Sequence, residues 1–291
     1  MIAIDSEVEI RDLRRQVERG YTRVTATVCG SPVWFESEEP LVPAWEAFAS
    51  AFLIPILHTR SRMLVAGPLD AQWRAGAEHI CRQVHQWWGY ADTAPITAAV
   101  VDQPGKRLES QAQCFSGGAD SFYSLLRGNH PTECLVLVHG FDIPHYDQIH
   151  FRRARRSAEE VAAKTGRRLI VVRTNLRKHP LFARVHWDRT HGGALAAIGH
   201  VLSGSVGHLV LASSVNFTKP RPGGSHWELD PHWSSSRLQV IYDGSHLCRL
   251  GKLREMADEP LVQNHLRVCL TTLCSAAIAA VATSASGRCC Y

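Results

Sequence analysis

The sequence predicts an α/β fold, a parallel sheet with helices on both faces, preceded by a small α+β N-terminal domain. Three observations carry this. From Gln111 onward, short apolar runs alternate with stretches of helical period. One of those runs, "CLVLVHGF", is apolar nearly throughout, as a strand buried on both faces must be. Before Gln111 the pattern differs: "TRVTATV" alternates with period two, and the turn "CGSP" leads to "VWFE", as in a hairpin. The division that follows is residues 1–108 for the N-terminal unit, 109–268 for the α/β unit and 269–291 for a tail of separate character.

In the N-terminal unit, "RMLVAGP" is a third strand candidate. Asp70 is placed to cap a helix on which Trp73, Ala77, Ile80, Val84 and Trp87 recur at helical spacing, and "PITAAVV" resumes a strand. No titratable constellation stands out here, and Trp87 and Trp88 read as core. In the α/β unit, "QAQCF" is a strand, and Asp120 to Arg127 a helix ended by Gly128 and Pro131. The next strand is "CLVLVHGF", and "HFRRARRSAEEVAAKTG" is an amphipathic helix closed by Gly166. "RLIVVRTN", "GALAAIGHVL" and "HLVLAS" continue as strand, helix and strand. In such sheets ligands bind beyond the carboxyl ends of the strands.

Composition narrows the class. The chain has 291 residues, 45% hydrophobic and 20% charged, enough to bury a sizeable core. No run reaches the roughly 18 apolar residues of a membrane span. The start, "MIAIDSEVEIRDLRRQ", lacks the apolar core of a signal peptide, so a cytoplasmic protein without a membrane partner is expected. The net charge of +5 permits anionic ligands without arguing for nucleic acid.

The stretch that carries chemistry is "QAQCFSGGADSFYSLLRG". At a strand-to-helix turn the first helical N–H groups lack internal partners and, with the helix dipole, form an anion site. Gly117 and Gly118 let backbone approach a phosphate without a Cβ in the way, and Ser116 and Ser121 add hydroxyls. Asp120 repels phosphate unless it caps the helix or meets a divalent metal such as Mg²⁺. The segment lacks the Gly-Lys-Ser/Thr of a Walker A loop and the Gly-x-Gly-x-x-Gly of a dinucleotide fingerprint.

Ser116, Gly117, Gly118, Asp120 and Ser121 together resemble the PP-loop, Ser-Gly-Gly-x-Asp-Ser, of the N-type ATP pyrophosphatases. That family includes the synthetase domains of GMP synthetase and asparagine synthetase, tRNA thiolation enzymes and 7-cyano-7-deazaguanine synthase. The resemblance implies an adenine nucleotide alpha hydrolase-like fold over residues 109–268. It also implies cleavage of ATP to AMP and pyrophosphate, with a small-molecule carbonyl or carboxylate activated by adenylation for attack by ammonia or an amine. It places the pyrophosphate on the loop, Mg²⁺ on Asp120, and adenine against Val138, His139 and Gly140. A late basic residue in such enzymes reaches the phosphates, which here points to Lys252 as a catalytic group and Arg249 as a second phosphate ligand. The alternatives carried with it are tRNA or nucleobase sulfur transfer by the same adenylation, with tRNA as partner, and a nucleotide-binding protein that has lost catalysis. A homodimer is compatible with all three.

Further candidates lie in loops at the same sheet edge. Asp142 follows the second strand in "HGFDIPHYDQIH", and Asn175 and Arg177 follow the third in "TNLRKHP". A turn carboxylate and a capping Asn are the alternative readings of the first two, while Arg177 suits a substrate carboxylate or phosphate. After the fourth strand, Ser225 and His226 stand in a Gly-, Pro- and Ser-rich stretch that reads as a substrate loop. Arg152 to Arg156 read as a salt-bridged helix surface, with RNA phosphates the alternative. In the tail, Cys269, Cys274, Cys289 and Cys290 lack the two-residue gap of a zinc-binding pair, so zinc is not expected and the terminus reads as degenerate.

Overall fold

The computed structural model describes residues 7–93, 96–102 and 106–267. The first part of the chain forms β1 (Glu7–Glu18), β2 (Tyr21–Val28), β3 (Ser31–Ser37), α1 (Trp45–Thr59), β4 (Arg62–Val65), β5 (Leu69–Asp70), α2 (Ala71–Trp88), β6 (Ile96–Thr97) and β7 (Val100–Val101). The second part forms β8 (Gln111–Cys114), α3 (Ala119–Arg127), β9 (Cys134–His139), α4 (Gln148–Lys164), β10 (Arg168–Thr174), α5 (Pro180–Ala183) and α6 (Trp187–Leu202). It ends with β11 (His208–Ala212), β12 (Gln239–Asp243), α7 (Arg249–Glu255) and α8 (Pro260–His265).

One ten-stranded, mostly parallel sheet runs in the order β12-β11-β8-β9-β10-β3-β2-β1-β4-β6, and β5 pairs with β7 separately. The five strands from β12 to β10 are mutually parallel. Chain order reverses direction at β8, whose neighbours are β9 on one side and β11 on the other. That is the topological switch point of a Rossmann-like sheet, where a crevice opens beyond the strand ends.

The fold is therefore α/β, as expected, but the two parts are joined more closely than their patterns suggest. β3 pairs antiparallel with β10, Phe35 opposite Thr174, so the first hundred residues extend the same sheet. Asn175 fastens the join, accepting from Trp34 N–H at 2.9 Å and donating to Pro32 O at 2.9 Å. On one face of the sheet lies a core built around α1, α2 and α6. On the other, Phe122, Leu135, Leu137, Phe151 and Val161 form a second core under α3 and α4. β9 feeds both, Leu135 and Leu137 one way and Cys134 and Val136 the other.

Among the elements absent from the sequence expectations, three are instructive. α1 is buried around most of its circumference and carries Pro55, so it shows neither a stripe nor an uninterrupted helical pattern. β1 carries Arg11, Asp12, Arg14 and Arg15, charges allowed by its exposed outer residues. β12 hides at the end of a loop-like stretch, with Val240 and Asp243 as its buried residues. The cap expected at Asp70 is in place, its Oδ1 accepting from Trp73 N–H at 3.1 Å, whereas α3 is preceded by Gly118 and Asp120 lies within its first turn without capping it. No helix among the described residues is long and apolar enough to cross a membrane. The tail cysteines Cys269, Cys274, Cys289 and Cys290, with the reading of a degenerate terminus, lie outside the described residues.

Candidate functional site

The loop after β8 sits at the switch point. Gly117 has φ +77°, a conformation that favours glycine, and it turns the chain sharply into α3. Gly118 is the residue before the helix; its N–H lies 3.3 Å from Ser116 Oγ, and its carbonyl accepts from Ser121 Oγ at 2.9 Å. From beneath, buried Gln113 donates to Ser121 O at 2.6 Å. These contacts fix the loop while leaving it at the helix N-terminus.

Three basic residues from the far end of the chain converge on this loop. Arg249 makes a forked contact to Asp120 Oδ2, at 3.0 Å from Nε and 2.6 Å from Nη2. Lys252, at 1% exposure, reaches Asp120 Oδ1 at 3.2 Å and donates to Ser213 O and Ser213 Oγ at 2.5 and 2.8 Å. Burial pulls the Lys252 ammonium below its ordinary range, and the Asp120 charge opposes that shift. Arg267 donates from its backbone to Gly117 O at 2.7 Å and from Nη1 to Ser116 O at 2.8 Å. Two cations hold the Asp120 carboxylate and a third lies on the loop backbone, which makes the loop a cationic cradle.

Both oxygens of Asp120 are thus engaged by side-chain cations, and no group of three metal-ligating residues occurs among the described residues. A divalent ion would bind at Asp120 only in exchange for Arg249 or Lys252. In this arrangement Asp120 does not fit as a metal ligand.

A cavity of about 260 Å³ opens beside the loop. Cys114, Ser116, Asp120 and Ser121 line it from the loop side, Val138, Phe141 and Asp142 from β9 and its loop, and Trp187 and His191 from α6. Ser214 and Ser225 close it from the segment after β11. Burial raises the Cys114 thiol to about 12, so it is a poor thiolate. The exposed Asp142 reaches the cavity from a turn.

The other candidates divide. Val138 lines the cavity, but His139 is buried away from it, stacked on Phe151 at 3.8 Å and donating to Pro144 O at 3.0 Å. Gly140 is required by packing: with φ +117°, a Cβ there would meet Thr174 O at 2.1 Å. Asn175 is spent on β3, as described. Arg177 supports the cavity wall from behind, donating to Phe141 O at 2.6 Å and lying 4.4 Å from the Trp187 ring centre.

Ser225 and His226 sit side by side with different surroundings. Ser225 faces the cavity and donates to buried Asp230 Oδ2 at 2.5 Å. His226 is packed against Trp87 and Trp227, accepts from Glu228 N–H at 3.1 Å, and is lowered by burial to about 4, so it is a neutral packing residue. The residues that sequence reasoning missed are Arg267, Ser213, His191, Trp187 and Asp230. Arg267 follows α8 with no motif around it, and Asp230 stands before Pro231 in the same loop-like stretch as Ser225. Comparison of the chain with protein-family models, with curated proteins and with solved structures gives no match.

Proposed function

We propose that the protein is an ATP-dependent adenylating enzyme that forms AMP and pyrophosphate while activating a small-molecule carbonyl or carboxylate for attack by ammonia or an amine. The observation that carries this reading is the convergence of Lys252 and Arg249 on Asp120 within a Ser-Gly-Gly-x-Asp-Ser turn. A carboxylate in an anion-binding turn would repel a polyphosphate. Neutralised by Arg249 and Lys252, with Arg267 added, the turn attracts one.

In this reading the β and γ phosphates rest on the N-terminus of α3 and the loop backbone. The acceptor's oxygen attacks the α phosphorus from the cavity side, and the bond between that phosphorus and the bridging oxygen breaks. Pyrophosphate takes the electron pair. Lys252 has all three N–H donors engaged at Ser213 and Asp120, so in this reading it acts through its charge, offsetting Asp120 beside the phosphates without reorganising. The amine then attacks the activated carbon, and AMP leaves. With Asp120 engaged by Arg249 and Lys252, the nucleotide's own phosphates would hold any Mg²⁺, which would neutralise charge there. The raised thiol of Cys114 gives sulfur relay no support in the cavity.

The test is pyrophosphate release from ATP and Mg²⁺, with the wild type beside Asp120→Ala, against carboxylates, amides and nucleobases in the presence of ammonium or sulfide. Acceptor-dependent pyrophosphate and AMP, lost in the variant, are the expected result. ADP and phosphate would sink the reading. Tight ATP binding without product from any acceptor would mark a binder that has lost catalysis.

A further inference from the structure

We propose that the side of the cavity formed by α6 and the Ser225 loop is a subsite for the amino group of a heteroaromatic ring, read by two hydrogen-bond acceptors, Ser225 Oγ and His191 Nε2. The inference rests on the reading of this cavity as the ligand site, and it adds the chemistry that the ligand must present there.

The polarity of both groups follows from their partners. A serine hydroxyl has one proton, and that of Ser225 is committed to Asp230 Oδ2 at 2.5 Å. What remains for the cavity is lone pairs. Asp230 is fully buried and its Oδ1 has no partner among the described residues, so the Ser225 proton is its main side-chain contact. His191 Nδ1 lies 3.3 Å from Trp187 O, which can only accept; Nδ1 therefore carries the ring proton. Burial lowers the His191 pKa, keeping the ring neutral and Nε2 free to accept. Gly224 N–H donates to Asp188 O at 2.6 Å, which holds the Ser225 loop against α6, and Ser225 and His191 line the same cavity.

The walls suit a flat ring. Phe115, Val136, Phe141, Trp187, Leu195 and Leu211 are apolar, and Arg267, on the loop side, is the one Lys or Arg among the lining residues. A ring presenting N–H donors satisfies both acceptors. A ring presenting a carbonyl sets lone pair against lone pair and leaves Ser225 and His191 unpaired, a mismatch that such sites reject strongly. The amino group has two sources: the adenine of the nucleotide, or a ring on the acceptor.

Calorimetric titration of the full chain at pH 8 distinguishes them. One pair of probes is ATP and ITP, which differ by an amino and an oxo group. The other is adenine and hypoxanthine, titrated with α,β-methylene-ATP at saturation. The amino member of at least one pair is expected to bind at least about 10-fold tighter. Preference in the nucleotide pair alone assigns the subsite to adenine; preference in the base pair assigns it to the acceptor. In Asp230→Asn the amide can donate to Ser225 Oγ, freeing the hydroxyl proton for a carbonyl, so the ratio should fall to about 3-fold or less. Thermal melting shows whether that variant is folded, and Ser225→Ala provides a second folded comparison. Equal affinities within both pairs, absence of binding by every amino probe, or a ratio unchanged in both variants would overturn the proposal. Pyrophosphate release is scored apart: amino preference without it leaves the subsite standing and removes the reaction, and release without preference does the reverse.

Discussion

Lys252 Nζ stands 3.2 Å from Asp120 Oδ1 although the two residues are 132 positions apart, and the lysine is buried to 1% exposure. Lys252→Met keeps most of the stem but leaves Ser213 O, Ser213 Oγ and one Asp120 oxygen without their donor. Breaking a buried contact of this kind costs about 3 kcal/mol, read as a lower denaturant midpoint at unchanged slope. Pyrophosphate release should fall by at least about 100-fold, the scale of losing a preorganised donor. Arg249→Ala, at an exposed side chain by comparison, should cost much less stability while still weakening ATP binding.

The two loop glycines should separate. Gly117→Ala places a side chain at φ +77° and within 3.1 Å of the Arg267 side chain. The expected loss is about 1–3 kcal/mol, with a matching drop in melting temperature. Gly118→Ala has ordinary backbone, and its nearest neighbour is Ser116 Oγ at 3.3 Å. Its stability should change by less than about 1 kcal/mol while its methyl obstructs the phosphate, so nucleotide affinity falls without a change in melting. Equal melting losses in the two variants would contradict this account of the turn.

Asp230 sets a pH dependence. Burial raises its carboxyl from its ordinary 3.8 to about 7, only partly offset by Ser225 and the His226 backbone. A carboxyl raised in the folded state binds protons more tightly than in the unfolded chain. Its contribution to stability is complete below pH 3.8 and is lost as pH rises through about 7. Against the wild type, Asp230→Asn should therefore lose less stability between about pH 4 and 8. Chemical denaturation across that range, with parallel profiles for the two proteins, would be the contrary result.

A chain beginning at residue 109 is expected to fail to fold on its own. It would expose the edge of β10 that β3 covers, and the apolar face of α6 that α1 covers. Loss of the cooperative unfolding transition and of ATP binding is the outcome to look for. A soluble, ATP-binding fragment with a sharp transition would make the first hundred residues an accessory unit after all.

Much of the α/β half was legible because burial on both faces leaves a strong mark in sequence, as in "CLVLVHGF", and because Gly117, Gly118 and Asp120 occupy a turn that few other roles require. The join between halves was not legible. β3 looks like an ordinary hairpin strand, and nothing in Val33 or Phe35 says which strand lies on its other side. α1 was lost for the opposite reason, since a helix buried nearly all round has no period to detect. Around the site, sequence spacing could indicate that Lys252 and Arg249 share a helix face, but not that both turn toward Asp120. Nor could it separate Ser225, which faces the cavity, from His226, which faces Trp87.

The antiparallel pairing of β3 with β10 has a bearing on how the protein is made. Trp34 and Thr174 are bonded across 140 residues of chain. During synthesis at roughly 5–20 residues per second, β3 leaves the ribosome many seconds before its partner exists. Throughout that interval one edge of the early hairpin is bare. The nascent chain is thus open to mispairing with its neighbours from before the phosphate turn is translated until after it, and a chaperone that shields strand edges would act on it then.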